Sequence, residues 1–287
     1  MKEPGVEAIQ QQVEVLARAF PGTAGVAARN LRTGEEVSVG ERETFPTASM
    51  IKIVILFELV RQCAKGWAQM WERSTLRGVD KTLGSGLLLD FDEGVSLTLR
   101  DLAVMMMAIS DNTATNILID RLSLQAINDA CRDAGMFDTR VRGRIDFDRI
   151  RESNDNFAVG TPHDFREFLT SLHRNELIPP AQVEQMLGLM RIQKYIEPIR
   201  KHLPYNPYGP EFGEPQEVWV ASKTGSLQGV RCEAGLIHAP AADWALCVMT
   251  KNCPDRSWNT DHPGLRFISE VSLRLYEAWG RPANSHG

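Results

Sequence analysis

The sequence predicts an α+β fold: an antiparallel sheet built from both ends of the chain, covered by terminal helices, with an all-helical lobe inserted between them. Three observations carry this. Strand patterns occur only towards the two ends, in GVAARNL, EEVSVG, EVWVASKTG, CEAGLIHAP and DWALCVMTKNC. Between about residues 46 and 190 the apolar spacing is helical. Further helical stripes lie outside the strands at 5–20 and 264–279. Residues 1–45 and 193–287 are thus expected to form one α/β lobe and 46–192 an all-α lobe. The cleft between them is the expected ligand site.

Each element has a local reason. In 5–20, Val6, Ile9, Val13, Leu16, Ala17 and Phe20 make one stripe, which Pro21-Gly22 ends. Arg32-Thr33-Gly34 joins the next two strands as a hairpin. Helical periods follow at 50–65, 98–109, 112–121, 123–134, 162–174 and 179–192. The charged stretch from about 138 to 160 has no clean period and reads as a long loop, as does the Pro/Gly-rich YNPYGPEFGEP. Two of the last three strands flank a turn at Ala239–Asp243, and the tail from Pro282 is expected to fray.

Composition excludes several function classes. The 287 residues carry 43% hydrophobic and 24% charged side chains with a net charge of −5, so there is no basic footprint for nucleic acid or an anionic membrane. No apolar run approaches the ~20 residues of a membrane span. The opening MKEPGVEAIQQQVEVLARAF has no apolar core of a secretory signal, which predicts a cytoplasmic protein if Met1 is the native start. Five widely spaced cysteines (Cys63, Cys131, Cys232, Cys247, Cys253) form no CxxC and read as reduced thiols. Six histidines form no ligand-spaced pair, so neither metal nor cofactor is expected. The expected partner is a small-molecule substrate; the oligomeric state is open.

The informative anomaly lies in FPTASMIKIVILFELV. From Met50 to Phe57 every residue is apolar except Lys52. In a helix over 47–62, Ser49 sits in the first turn and stacks on the face of Lys52 three residues later. Desolvation and the positive helix N-terminus both push Lys52 towards a neutral amine able to take the Ser49 proton. The alternative is a snorkelled lysine beside a capping serine. S-x-x-K alone arises by chance on the order of once in such a chain. Two further motifs add weight. Ser110-Asp111-Asn112 lies between two apolar helices, where it also reads as a helix cap; Lys223-Thr224-Gly225, followed by Ser226, ends a strand, where it also reads as a turn or bulge.

S-x-x-K, S-D-N and K-T-G, in this order and on these elements, resemble the class A β-lactamase and penicillin-recognising serine hydrolase superfamily. The resemblance spans about residues 20–280, includes GSG at Gly84–Gly86, and implies a β-lactamase/transpeptidase-like fold of three α/β/α layers. It implies an acyl-enzyme mechanism on a β-lactam or related amide or ester. Ser49 would be the nucleophile, Lys52 its proton acceptor and Ser110 the shuttle to the leaving nitrogen. Asn112 would bind the substrate's amide side chain. Lys223 would attract the substrate carboxylate and tune Ser110, with Thr224 and, less firmly placed in register, Arg231 contacting that carboxylate. Gly225 and Ser226 would complete the substrate edge, and the N–H groups of Ser49 and Ser226 the oxyanion hole.

The chain departs from the class A pattern at one place. The E-x-x-L-N loop, whose glutamate activates the deacylating water in that class, is replaced by RVRGRIDFDRIRESNDNFAVGTPHDF. Alignment through Thr139-Arg140 and Thr161-Pro162 puts Ile145 near the glutamate's place, with Asp146 adjacent. Asp146 is a candidate substitute base; the alternative is that Asp146, Asp148 and Glu152 pair with the interleaved arginines to brace the loop. The departure resembles a branch of the superfamily lacking E-x-x-L-N. It leaves open a penicillin-binding-type peptidase or esterase with poor β-lactam turnover, or a non-turnover acylation sensor.

Overall fold

The computed structural model describes residues 5–195 and 198–282; the tail beyond Pro282 lies outside the described residues. Helix α1 (Val6–Ala19) leads into β1 (Thr23–Asn30) and β2 (Glu36–Val39). These form the expected hairpin, with Val26 opposite Val39 and Gly34 at φ +80° in its turn. After the two-residue β3 (Phe45–Pro46), the chain makes a 3-10 turn at Ala48–Ile51 and enters α2 (Lys52–Ala64). The small strands β4 (Arg73–Thr75) and β5 (Ser96–Thr98) pair with each other ahead of α3 (Leu99–Ala108), α4 (Asn112–Leu122) and α5 (Leu124–Asp133). Then come β6 (Arg140–Val141), α6 (Phe147–Glu152), β7 (Ala158–Gly160), α7 (Pro162–His173) and α8 (Pro180–Arg191). Last are β8 (Trp219–Leu227), β9 (Val230–His238), β10 (Asp243–Lys251) and α9 (Pro263–Leu275), which continues as a π-helical turn at Tyr276–Gly280.

The main sheet has the order β2-β1-β10-β9-β8 with antiparallel neighbours, so strands from both chain ends share one sheet. Alternation along β10 divides two cores. Trp244, Leu246 and Val248 pack with Ile9 and Val13 of α1 and Ile268 and Val271 of α9. Ala245, Cys247 and Met249 pack with α2 and its helical surroundings. A strand buried on both faces reads as an unbroken apolar run, as DWALCVMTK does.

Three expectations are corrected. The stretch 138–160 is not an unstructured loop. It holds β6, α6 and β7, and β7 pairs with both β6 and β3. These elements are too short to display a period. The segment 46–192 therefore contains small strands as well as helices. Finally, Ser49 lies in the 3-10 turn and not in the first turn of an α-helix; Ala48 before it is held at φ +46°.

Candidate active site

Two close approaches assemble the site. Gly225 lies in mid-strand and needs no unusual φ. A Cβ there would sit 2.4 Å from the Thr47 carbonyl oxygen and 2.8 Å from Met50 N, so its bareness lets β8 meet the turn bearing Ser49. On the other side, Gly86 (φ +112°) abuts Asp111, where a Cβ would fall 2.2 Å from Oδ2. Asp111 Oδ2 accepts from Leu87 N (2.7 Å) and Leu88 N (2.9 Å), while its Oδ1 caps α4 through Ala114 N (2.8 Å). This fixes Ser110 in a left-handed conformation, φ +60°, a strain of a kind that collects at functional sites.

The resulting groove has a volume of about 1900 Å³, and its walls include Ser49, Ser110, Asn112, Thr224, Gly225 and Ser226. Lys52 and Lys223 lie beneath it, both fully buried. Lys52 Nζ donates to the Ser110 carbonyl (2.7 Å), Ser110 Oγ (3.0 Å) and Asn112 Oδ1 (2.9 Å). No hydrogen bond joins it to Ser49. Burial, then the charge of Lys223, hold its proton affinity well below that of an ordinary lysine, against a smaller opposite pull from Asp111.

Lys223 sits over a polar network that the sequence reading missed. Burial lowers its pKa to about 7, against the attraction of Glu233 and with help from the repulsion of Arg200. Its Nζ donates to the Thr224 carbonyl (2.9 Å), and more distantly to Thr224 Oγ1 and Gln193 Oε1 (3.4 Å each). Behind the strand, Glu233 accepts from Ser222 Oγ (2.6 Å) and Ile199 N (3.0 Å) and faces Arg200 at 3.6 Å. Burial raises the Glu233 carboxyl, with Arg200 opposing. A lone carboxylate in the apolar strand CEAGLIH was the visible signal for this network; its partners come from a distant connection.

The remaining candidates stand apart. Arg231 is buried, and its guanidinium donates to the carbonyls of Leu227 (2.8 Å), Val230 (2.8 Å) and Ser257 (2.7 Å) beneath the Trp258 ring. It is not among the groove-lining residues. Asp146 is exposed and caps α6, accepting from Asp148 N (2.9 Å) and Arg149 N (3.5 Å). It borders a separate, smaller depression, whereas Ile145 and Phe147 line the groove. Asn116, also missed, clamps Ile145 in both directions: its Nδ2 donates to Ile145 O (3.0 Å) and its Oδ1 accepts from Ile145 N (2.8 Å). No cluster of His, Cys, Asp and Glu suited to a metal occurs among the described residues.

Residues 8–279 match the Beta-lactamase enzyme family. The chain belongs to this family. It is therefore a serine hydrolase of β-lactamase-like type, and its mixed α/β architecture with an antiparallel sheet is the β-lactamase fold. The chain is 29% identical to a β-lactamase structure from Sphaerobacter thermophilus, with a TM-score of 0.81 and 96% of each chain covered. It is 26% identical to a variant of PBP-A captured as an acyl-enzyme complex with penicillin G, with a TM-score of 0.80, covering 95% of this chain and 96% of that one. A β-lactamase regulatory protein, BlaB of Streptomyces cacaoi, is 23% identical over 267 residues, 80% of this chain and 85% of BlaB. Among the described residues no helix is long and apolar enough to cross a membrane.

Proposed function

We propose that the groove is an acyl-transfer site in which Ser49 attacks an amide or ester carbonyl, with a β-lactam among the candidate donors. The observation that carries this reading is the buried Lys52. Burial and the charge of Lys223 lower its proton affinity, and it is tied to Ser110 Oγ at 3.0 Å below the groove that Ser49 lines. As Ser49 Oγ bonds to the carbonyl carbon, its proton passes to Lys52. Collapse of the tetrahedral adduct breaks the bond to the leaving nitrogen or oxygen, which takes a proton through Ser110. Asn112, Thr224 and Gly225 line the substrate's path. The N–H of Ser226 points out of the sheet on the same edge as that of Thr224, two residues earlier, and with the Ser49 N–H supplies the oxyanion donors.

Deacylation is slow in this reading. From the loop after β6, the groove receives the apolar Ile145 where the resemblance implies a glutamate, and Asp146 is engaged as a helix cap. This favours a penicillin-binding-type esterase or peptidase with poor β-lactam turnover, or an acylation sensor. Five unpaired thiols, four of them buried, support a reducing, cytoplasmic setting. The test is hydrolysis of activated esters, a penicillin and a cephalosporin by the wild type and Ser49→Ala. Loss of turnover in the variant is expected; equal turnover of every accepted donor overturns the reading.

A further inference from the structure

We propose that Ser85 is a positioning residue of acyl transfer: its hydroxyl shares the Ser110 carbonyl with Lys52 and so frees the Lys52 amine to serve Ser49. The inference rests on the acyl-transfer reading above. It gives a part in that reading to the Gly84-Ser85-Gly86 motif, which the reading leaves unused.

The segment from Leu83 to Leu88 is moulded onto Ser110–Asn112. Asn112 N donates to the Ser85 carbonyl (2.9 Å) and Asn112 Nδ2 to the Leu83 carbonyl (2.9 Å), while Asp111 accepts from Leu87 N and Leu88 N. Neither neighbour of Ser85 has room for a side chain. A Cβ on Gly84 would fall 2.6 Å from Asn112 Nδ2, and one on Gly86 2.2 Å from Asp111 Oδ2. Ser85 is the residue of this segment whose side chain reaches the proton centre. Its Oγ donates to the Ser110 carbonyl (2.8 Å) and lies 3.5 Å from Asn112 Oδ1, on the wall of the groove.

What this hydroxyl does follows from the surroundings of Lys52. Its Nζ meets Ser110 O at 2.7 Å, Asn112 Oδ1 at 2.9 Å and Ser110 Oγ at 3.0 Å. The bond from Asn112 Nδ2 to Leu83 O fixes the amide, so the oxygen that faces the lysine carries no proton. Three acceptors match the three N–H bonds of an ammonium, whereas a neutral amine has two and a lone pair. By itself the cluster therefore favours the charged lysine, which cannot take the Ser49 proton. Ser85 works against this. Among the described residues its hydroxyl is the other donor to the Ser110 carbonyl. Two donors draw on the same oxygen's electron density, so each is held less strongly than one alone. Ser85 thus weakens the shortest of the contacts that keep the proton on Lys52. The charged groups acting on Lys52 are Lys223 of β8, which with burial pushes in the same direction, and Asp111, ahead of α4, which opposes.

The test is the pH dependence of acylation by two uncharged donors, 4-nitrophenyl acetate and 4-nitrophenyl hippurate, with the adduct located by intact mass and proteolysis. Uncharged donors keep the attraction of Lys223 for a substrate carboxylate out of the comparison. In the wild type the rate is expected to rise with pH as Lys52 gives up its proton. Ser85→Ala should move that rise to higher pH by about half a unit to one unit, the scale of one net hydrogen bond. Ser85→Thr keeps the hydroxyl and should leave the rise at its wild-type place. Ser85→Cys, a weak donor of similar size, should move it as alanine does, so the series remains decisive if the alanine variant misfolds. A Ser49 adduct whose pH profile stays in place in both variants, moves to lower pH, or falls by one factor at every pH overturns this inference alone. No adduct on Ser49 from either ester overturns the acyl-transfer reading and this inference with it.

Discussion

Gly225 of the sheet and Thr47 of the turn bearing Ser49 are packed backbone to backbone: a Cβ on Gly225 would lie 2.4 Å from the Thr47 carbonyl oxygen. Neither side can yield cheaply, because both are main chain. Gly225→Ala is expected to destabilise the fold by about 1–3 kcal/mol through overpacking. It should also slow acylation by about 10²-fold, the effect of a displacement near 1 Å at a reacting group. Thermal unfolding and single-turnover acylation, measured on the same preparation, check the two effects. A variant with wild-type acylation would show that the contact does not position Ser49.

In the proposed mechanism Lys52 and Ser110 form the proton path. Lys52→Met keeps the side-chain volume and removes the amine, and is expected to lower the acylation rate by about 10²- to 10⁴-fold. Ser110→Ala leaves the amine in place and should affect donors with poor leaving groups more than activated aryl esters, which need little protonation on departure. Rates measured for an amide and an aryl ester on each variant separate the two roles. Equal losses on both donors in Ser110→Ala would remove Ser110 from the leaving-group step.

Ile145 is held in the groove wall by the paired hydrogen bonds from Asn116. A carboxylate at this position is placed to activate water. Ile145→Glu is expected to shorten the lifetime of the acyl-enzyme by about tenfold or more, within the range of a positioned general base. Asp146→Asn should leave that lifetime unchanged and cost about 1 kcal/mol of stability at most, as the weakening of a helix cap. A deacylation rate that falls in Asp146→Asn would restore Asp146 as the substitute base.

The pH dependence follows from Lys223. Its pKa of about 7 lies below that of an exposed lysine, so raising the pH through 7 removes its positive charge while ordinary lysines stay charged. A carboxylate donor loses an attraction that a carboxamide donor never had. The carboxylate-to-carboxamide ratio of acylation rates should therefore fall as pH rises from about 6 to 8, by up to about tenfold per unit. A ratio that is flat over this window would mean that Lys223 does not titrate there, or is not felt by the substrate.

The parts of this site that were legible in the sequence are those carried by local pattern. Lys52 stood out because nothing else between Met50 and Phe57 is polar. Strands at both ends of the chain implied the shared sheet. The network around Gln193 was not legible, since it joins a residue two positions past α8 to two strands some 30 and 40 positions later through hydrogen bonds only. The small elements of 138–160 were hidden by their length. Arg231 is instructive in another way: motif register placed it beside KTG, but strand alternation turns it to the face opposite Lys223, where backbone carbonyls hold it.

The most direct measurement is the intact mass of the protein followed over time after mixing with an excess of activated ester, with the adduct mapped by proteolysis. A single acyl group on the peptide containing Ser49, persisting longer than in Ile145→Glu and absent from Ser49→Ala, is the expected result. An adduct on another residue, or one formed equally by Ser49→Ala, would contradict it.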